Sequence, residues 1–228
     1  MTKAKYCAIS PIQGPIAADR QSAKRHYGVH PYFTRRPQNV VREYIMHYSR
    51  QRDHVLDPFG GSGVTAIEAF LENRVGIQND INPLANFIAR GIADLARGEI
   101  AELERVLATL REECQAPLVL LEDFSEEKIQ AFASQLKMPE NIELPRTSDV
   151  RTYWELFSHR QLASLAFLRR AVDRIRNSHA RNGMLLAWSA TLAKLNRTFL
   201  SAEGRAESRG GSSIFSIYRY KVAKNPVE

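Results

Sequence analysis

The sequence predicts an α/β fold built on a partial doubly wound, Rossmann-like sheet that carries a helical insertion. Three observations predict it. The apolar pair Val55-Leu56 runs into Asp57 and a turn, Gly60-Gly61-Ser62-Gly63, followed by Val64, Ile67, Ala69 and Phe70 at helical spacing. The stretch RVGIQNDINPLANFIA then repeats strand and helix, the strand ending near Asp80 and the helix opening after Pro83, which makes one right-handed βαβ unit. The third observation is size: 228 residues, 44% of them apolar, suffice to bury a core in one α/β domain with an appendage.

In chain order, an irregular start gives way at Pro37, a residue suited to the first turn of a helix because the N–H it lacks would be unpaired there. Val40, Val41, Tyr44, Ile45 and Tyr48 fall on one face of the helix that follows. With the βαβ unit, this helix makes residues 1–97 the expected cofactor-binding core. Residues 98–115 read as helix, and 116–150 hold acidic and proline-containing stretches, so 98–150 is expected to be a helical, acidic insertion. Residues 151–228 are expected to form a basic helical region closed by a strand. Leu162, Leu165, Val172 and Ile175 mark one helix there; GMLLAWSATLAKLNRTF, apolar on most sides, reads as a buried helix; SSIFSIYRYKV reads as the strand. No internal repeat or low-complexity tract interrupts this order.

Composition excludes several classes. No run approaches the ~18 apolar residues of a membrane span, and the polar start MTKAKYCAIS lacks the apolar stretch of a signal peptide, so a cytoplasmic protein with no membrane partner is expected. Cys7 and Cys114 stand far apart with no metal-ligand spacing, so neither a disulfide framework nor a metal site is expected. The net charge of +7 is unevenly placed. Residues 1–150 carry 18 Lys/Arg against 20 Asp/Glu, whereas residues 151–228 carry 14 against 5. A basic last third suits contact with a polyanion, because each neutralised phosphate releases counterions; a solvated helix face accounts for the same charge.

The glycine turn carries the chemistry. Gly61-Ser62-Gly63-Val64-Thr65-Ala66 fits the dinucleotide pattern G-x-G-x-x-G/A, and Asp80 lies where a ribose-binding acid would stand. No Gly-Lys-Ser/Thr follows the glycines, which excludes a nucleoside-triphosphatase loop. The ligand must also tolerate the carboxylate of Asp57 at the strand end, and a pyrophosphate would be repelled by it. S-adenosylmethionine has no phosphate, and its ammonium and sulfonium groups are cationic. Asp57 then attracts the amino-acid end of that cofactor, the glycine amides approach its carboxylate, and Asp80 accepts hydrogen bonds from the ribose hydroxyls. Alternatively, Asp57 caps the turn and Asp80 merely ends a strand.

LDPFGGSGVTAIEA resembles the Asp-Pro-Phe-x-Gly-Ser-Gly cofactor loop of the DNA methyltransferases that modify adenine N6 or cytosine N4. HYGVHPYFTRRPQNVVREYI, His26 to Ile45, is similar to the segment that precedes this loop in those enzymes and closes over the methionine part of the cofactor. DINPLANFIA is similar to the family's acidic strand end, and LNRTF with RGGSSIFSIYRYKV resembles a later stretch of bacterial members. The resemblance implies a methyltransferase sheet with S-adenosylmethionine as cofactor and DNA as substrate, in the setting of restriction and modification. It implies a cofactor site at Asp57, Phe59, Gly60, Gly61, Ser62 and Gly63, with Phe33 and Thr34 from the closing segment and Asp80 and Ile81 from the strand end. Phe59 and Ile81 would supply apolar walls. His30 before Pro31 reads as fixing an extended segment, not as a catalytic group.

The family's second signature, Asp/Asn/Ser-Pro-Pro-Tyr/Phe/Trp, does not occur, and neither does Pro-Pro. In that signature an oxygen and a proline carbonyl accept the amine hydrogens of a flipped base, localising a lone pair that is otherwise spread into the ring, while the aromatic residue stacks on the base. The chain therefore reads as the cofactor-binding half of such an enzyme, inactive alone, with no catalytic residue to assign. A second polypeptide carrying the catalytic half, or self-association, is expected. Arg197, Arg205 and Arg209, in LNRTFLSAEGRAESRGG, are the candidates for DNA contact. Two other classes stay open: a nicotinamide-dependent oxidoreductase using Gly61 to Ala66, and a noncatalytic nucleic-acid-binding module. An RNA substrate is a variant of the first reading.

Overall fold

The computed structural model describes residues 9–19, 25–32, 35–198 and 222. The chain divides into two compact units, Met1–Ala93 and Asp94–Glu228. The first holds a short 3-10 turn, Arg25–Gly28, then helix α1 (Gln38–Tyr48), strand β1 (His54–Asp57), helix α2 (Val64–Leu71) and strand β2 (Val75–Gln78). The boundary falls within helix α3 (Pro83–Arg97). β1 and β2 pair in parallel, with Val55 opposite Gly76 and Asp57 opposite Gln78. The expected βαβ order is present. Together with seven α-helices, this two-stranded sheet makes an α/β architecture among the described residues, and a wider doubly wound sheet is not among them.

Close packing of α2 on the sheet depends on one glycine. A Cβ on Gly76 would lie 2.1 Å from the Ala66 carbonyl oxygen, which no side chain can tolerate. The buried face of α2 differs from its apolar pattern: Val64, Glu68 and Ala69 are buried, while Phe70 is exposed. Glu68 is accommodated because the Tyr27 hydroxyl, itself buried, donates to its Oε1 at 2.8 Å. α1 packs on α2 and buries Ile45, and its Arg42 pairs with Glu72 at 2.5 Å. Tyr44 and Tyr48, expected on the buried face, are exposed and stack on each other with ring centroids 6.0 Å apart. The alternation along both strands leaves a one-sided sheet. Val55, Asp57, Gly76 and Gln78 are half-buried, while Leu56, Val75 and Ile77 are exposed on the opposite face.

The second unit is helical: α4 (Ile100–Glu122), α5 (Glu126–Ala133), a 3-10 turn at Trp154–Leu156, α6 (His159–Asp173) and α7 (Ser178–Thr191). α4 extends past the expected residue 115 and through Pro117. The proline removes one N–H, but Cys114 and Leu121, two turns apart, are both buried on one face and hold the helix on either side of it. The core gathers Leu156, Phe157, Leu162 and Leu165, with Trp188 of α7 packed against it. α6 starts with a capping box, Ser158 Oγ accepting from the Gln161 amide and the Gln161 side chain accepting from the Ser158 amide. α7 begins ahead of the apolar run because Asn177 Oδ1 caps it, accepting from the His179 and Ala180 amides. Of the segment expected to form a buried helix, Gly183 and Leu186 are buried, but Ala187 and Leu195 are exposed and the helix ends at Thr191, so that expectation holds only in part. Of the expected terminal strand only Val222 lies within the described residues, where it bridges Thr198 in antiparallel fashion. Among the described residues no helix is long and apolar enough to cross a membrane.

Candidate functional site

The carboxyl ends of the two parallel strands place Asp57 and Asp80 on either side of the glycine turn, the position at which open α/β sheets receive ligands. The turn reverses through left-handed backbone at Gly61 (φ +54°) and Gly63 (φ +90°), and Gly63 also lies against α3, where a Cβ would be 2.7 Å from that of Ala89. Asp57 Oδ1 accepts from the Phe59 amide at 3.0 Å, and its Oδ2 accepts from the Thr65 hydroxyl at 2.5 Å. Asp80 Oδ2 accepts from the Gly61 amide at 2.8 Å, and its Oδ1 from the Asn82 amide at 2.8 Å. An ionised carboxylate has about four lone-pair sites, so both acids retain acceptor capacity towards a ligand.

The glycine amides are employed differently from the sequence reading. Gly60 N donates to the Asn79 carbonyl at 3.0 Å, Gly61 N to Asp80, and Gly63 N to the Gly60 carbonyl at 2.9 Å. Each already has an acceptor inside the protein. The turn is thereby a rigid support between the two acids, and not a row of open donors of the kind that cradles a pyrophosphate.

A cleft of about 690 Å³ opens over the turn, within the size range of small-molecule sites. Asp57, Phe59, Gly60, Gly61, Ser62 and Asp80 line it, and Gly63 is buried behind them. Phe59 is 88% exposed, with its ring free of core packing. Ile81 is fully exposed and is not among the residues lining the cleft. Phe33 and Thr34 lie outside the described residues.

Sequence reasoning passed over Tyr32, Arg35 and Thr65, all of which line the cleft. Arg35 Nε donates to Ser62 Oγ at 2.9 Å and Nη2 to the His30 carbonyl at 2.6 Å, which ties the upstream segment onto the glycine turn. Burial lowers the Arg35 pKa, opposed by the neighbouring Tyr27 and Tyr32. Tyr32 is pushed up, first by burial and then by the negative charge of Asp80. His30 is buried, its Nδ1 donates to the Pro31 carbonyl at 2.8 Å, and desolvation holds its pKa below the usual value despite that bond. The signal for Arg35 was present in FTRRP, within the closing segment and directly ahead of α1; what the sequence lacked was the distance to Ser62.

Residues 13–88 match the DNA methylase family model. The match spans the upstream segment, α1, β1, the glycine turn, α2, β2 and Asp80, so every group described around the cleft lies in the methylase-like region. The resemblance to adenine-N6 and cytosine-N4 DNA methyltransferases read from the motifs holds over this region, and LNRTF and RGGSSIFSIYRYKV lie beyond it. No curated protein and no solved structure matches the chain.

Of the three arginines considered for DNA contact, only Arg197 lies within the described residues. It stands beyond the end of α7, half-buried, with its amide donating to the Leu156 carbonyl at 2.7 Å and its Nε buried without a hydrogen-bond partner. Arg205 and Arg209 lie outside the described residues.

Proposed function

We propose that the methylase-like region binds S-adenosylmethionine for methyl transfer to the exocyclic amine of adenine or cytosine in DNA. The observation that carries this reading is the pairing of Asp57 and Asp80 across one cleft whose neighbouring glycine amides are already satisfied. Two carboxylates beside a closed turn suit a ligand with cationic groups and a diol, and they repel a pyrophosphate. This disfavours the nicotinamide alternative. When bound, the cofactor supplies a methyl group made electrophilic by its sulfonium. Asp57 attracts its amino-acid end, Asp80 accepts from the ribose hydroxyls, and Phe59 offers an apolar surface over the cleft. Phe33, Thr34 and Ile81 are assigned to the same site by resemblance.

The chemistry on the base needs groups that localise the amine's lone pair, and the sequence has no Asp/Asn/Ser-Pro-Pro-aromatic run to supply them. A second polypeptide segment bearing that signature completes the enzyme in this reading. The exposed face formed by Leu56, Val75 and Ile77 favours a covering partner, since parallel sheets of this class are covered on both faces.

The deciding experiment is calorimetry of the purified chain with S-adenosylmethionine and S-adenosylhomocysteine. Both should bind, and Asp80→Ala should weaken binding by about 1.5–3 kcal/mol, the scale of hydrogen bonds to a charged group. Unchanged affinity in both Asp57→Ala and Asp80→Ala, with folding intact, would remove the assignment.

A further inference from the structure

Gln78 belongs to neither the glycine motif nor the acidic pair, yet its side chain lies against the glycine turn. It is the last residue of that strand and sits opposite Asp57 in the parallel register. Its Nε2 donates to the Gly61 carbonyl at 2.8 Å and reaches Asn86 Oδ1 at 3.4 Å. Its Oε1 is buried and has no hydrogen-bond partner. A Cβ on Gly60 would meet Gln78 Cγ at 2.7 Å, and one on Gly63 would meet Oε1 at 2.8 Å. The volume left empty by two glycines is thus the volume the Gln78 side chain fills.

The neighbouring residues extend the same contact. The Asn79 carbonyl accepts from the Gly60 amide and the Asp80 carboxylate from the Gly61 amide, so three consecutive residues at the end of β2 hold the turn. Of these three residues, Gln78 is the one that engages a turn carbonyl. Together with Asp80 it holds Gly61 from both sides, through its C=O and its N–H, which fixes the orientation of the peptide groups between the two carboxylates of the cleft.

We infer that Gln78 is a positioning residue that shapes the glycine turn and thereby sets the affinity of the cleft for S-adenosylmethionine and its demethylated product. The inference about affinity rests on the proposed cofactor reading; the clamp itself rests only on geometry. A side chain that merely filled space would be replaceable by another of similar length. One that orients the turn needs its N–H donor.

The test uses the full chain with Gln78→Ala, Gln78→Met, Gly60→Ala and the Gly60→Ala/Gln78→Ala double variant. Thermal unfolding without ligand measures the clamp. Gly60→Ala should lower the melting temperature when Gln78 is present and much less when residue 78 is alanine, and additive effects would overturn the clamp. Calorimetry with S-adenosylhomocysteine measures positioning. Gln78→Met, which keeps the bulk and loses the donor, should bind about threefold to tenfold more weakly, while losing no more stability than one hydrogen bond accounts for. Parent affinity in both Gln78→Met and Gln78→Ala would overturn the positioning role. If the parent chain binds neither cofactor form while the unfolding data still couple residues 60 and 78, the clamp stands and the cofactor reading is what fails.

Discussion

His30, Arg35 and Ser62 form a chain of contacts in which the upstream segment is held on the glycine turn by one guanidinium. The same segment carries a buried imidazole whose pKa is lowered by desolvation. The unfolded chain therefore binds a proton at His30 more readily than the folded one. Stability contributed by the neutral imidazole is present above the unfolded value of 6.5 and is lost as pH falls from there towards the lower folded value. Urea unfolding of the parent and of His30→Gln between pH 7.5 and 5 checks this. The parent should lose more stability over that range than the variant, and equal slopes would show that His30 does not titrate differently in the two states. Buried polar pairs were the least legible feature at this scale. Glu68 has the spacing of an interior position on α2 but the chemistry of a surface residue, and the Tyr27 hydroxyl, far away in sequence, helps reconcile the two.

At the scale of elements, local signals carried furthest where a single residue type has one physical use. Pro37 ahead of α1, the glycines before α2 and Pro83 at the start of α3 each mark a boundary that the structure keeps. Periodicity was less reliable on partly exposed helices: Tyr44 and Tyr48 share a stripe with Ile45, but the contact with α2 is too narrow to cover all three. Pro117 was equally misleading, because burial on both sides of a proline outweighs one missing hydrogen bond. The capping box of α6 lends itself to measurement. Ser158→Ala removes the acceptor for the Gln161 amide and should cost about 1 kcal/mol in urea unfolding with an unchanged denaturant slope, as N-cap losses do. A loss below about 0.3 kcal/mol would mean that water replaces the hydroxyl at this helix end.

For the whole molecule, charge and chemistry are divided along the chain. The methylase-like region holds the two acids of the cleft, while residues 151–228 carry the excess of basic side chains suited to a polyanion. On the proposed reading, highly purified chain transfers no labelled methyl from S-adenosylmethionine to DNA. Activity returns when a polypeptide bearing the Asp/Asn/Ser-Pro-Pro-aromatic signature is supplied, and it disappears again with Asp57→Ala. Robust turnover by the chain alone would show that another set of residues performs the chemistry.

The sequence by itself determined the βαβ order, the glycine turn and the two acids at the strand ends, because each follows from short-range rules of backbone conformation and spacing. It also determined the resemblance to DNA methyltransferases over the region that the family model matches. Only the tertiary structure decided that the glycine amides are already satisfied, that Arg35 reaches Ser62, that Phe59 lines the cleft while Ile81 does not, and that Gln78 fills the space beside Gly60. These are contacts between residues some 17 to 27 positions apart, or questions of which way a side chain faces, and they depend on how two strand ends meet in space. Hydrogen-bond satisfaction is a property of the assembled site, so no pattern of residue types along the chain could have specified it.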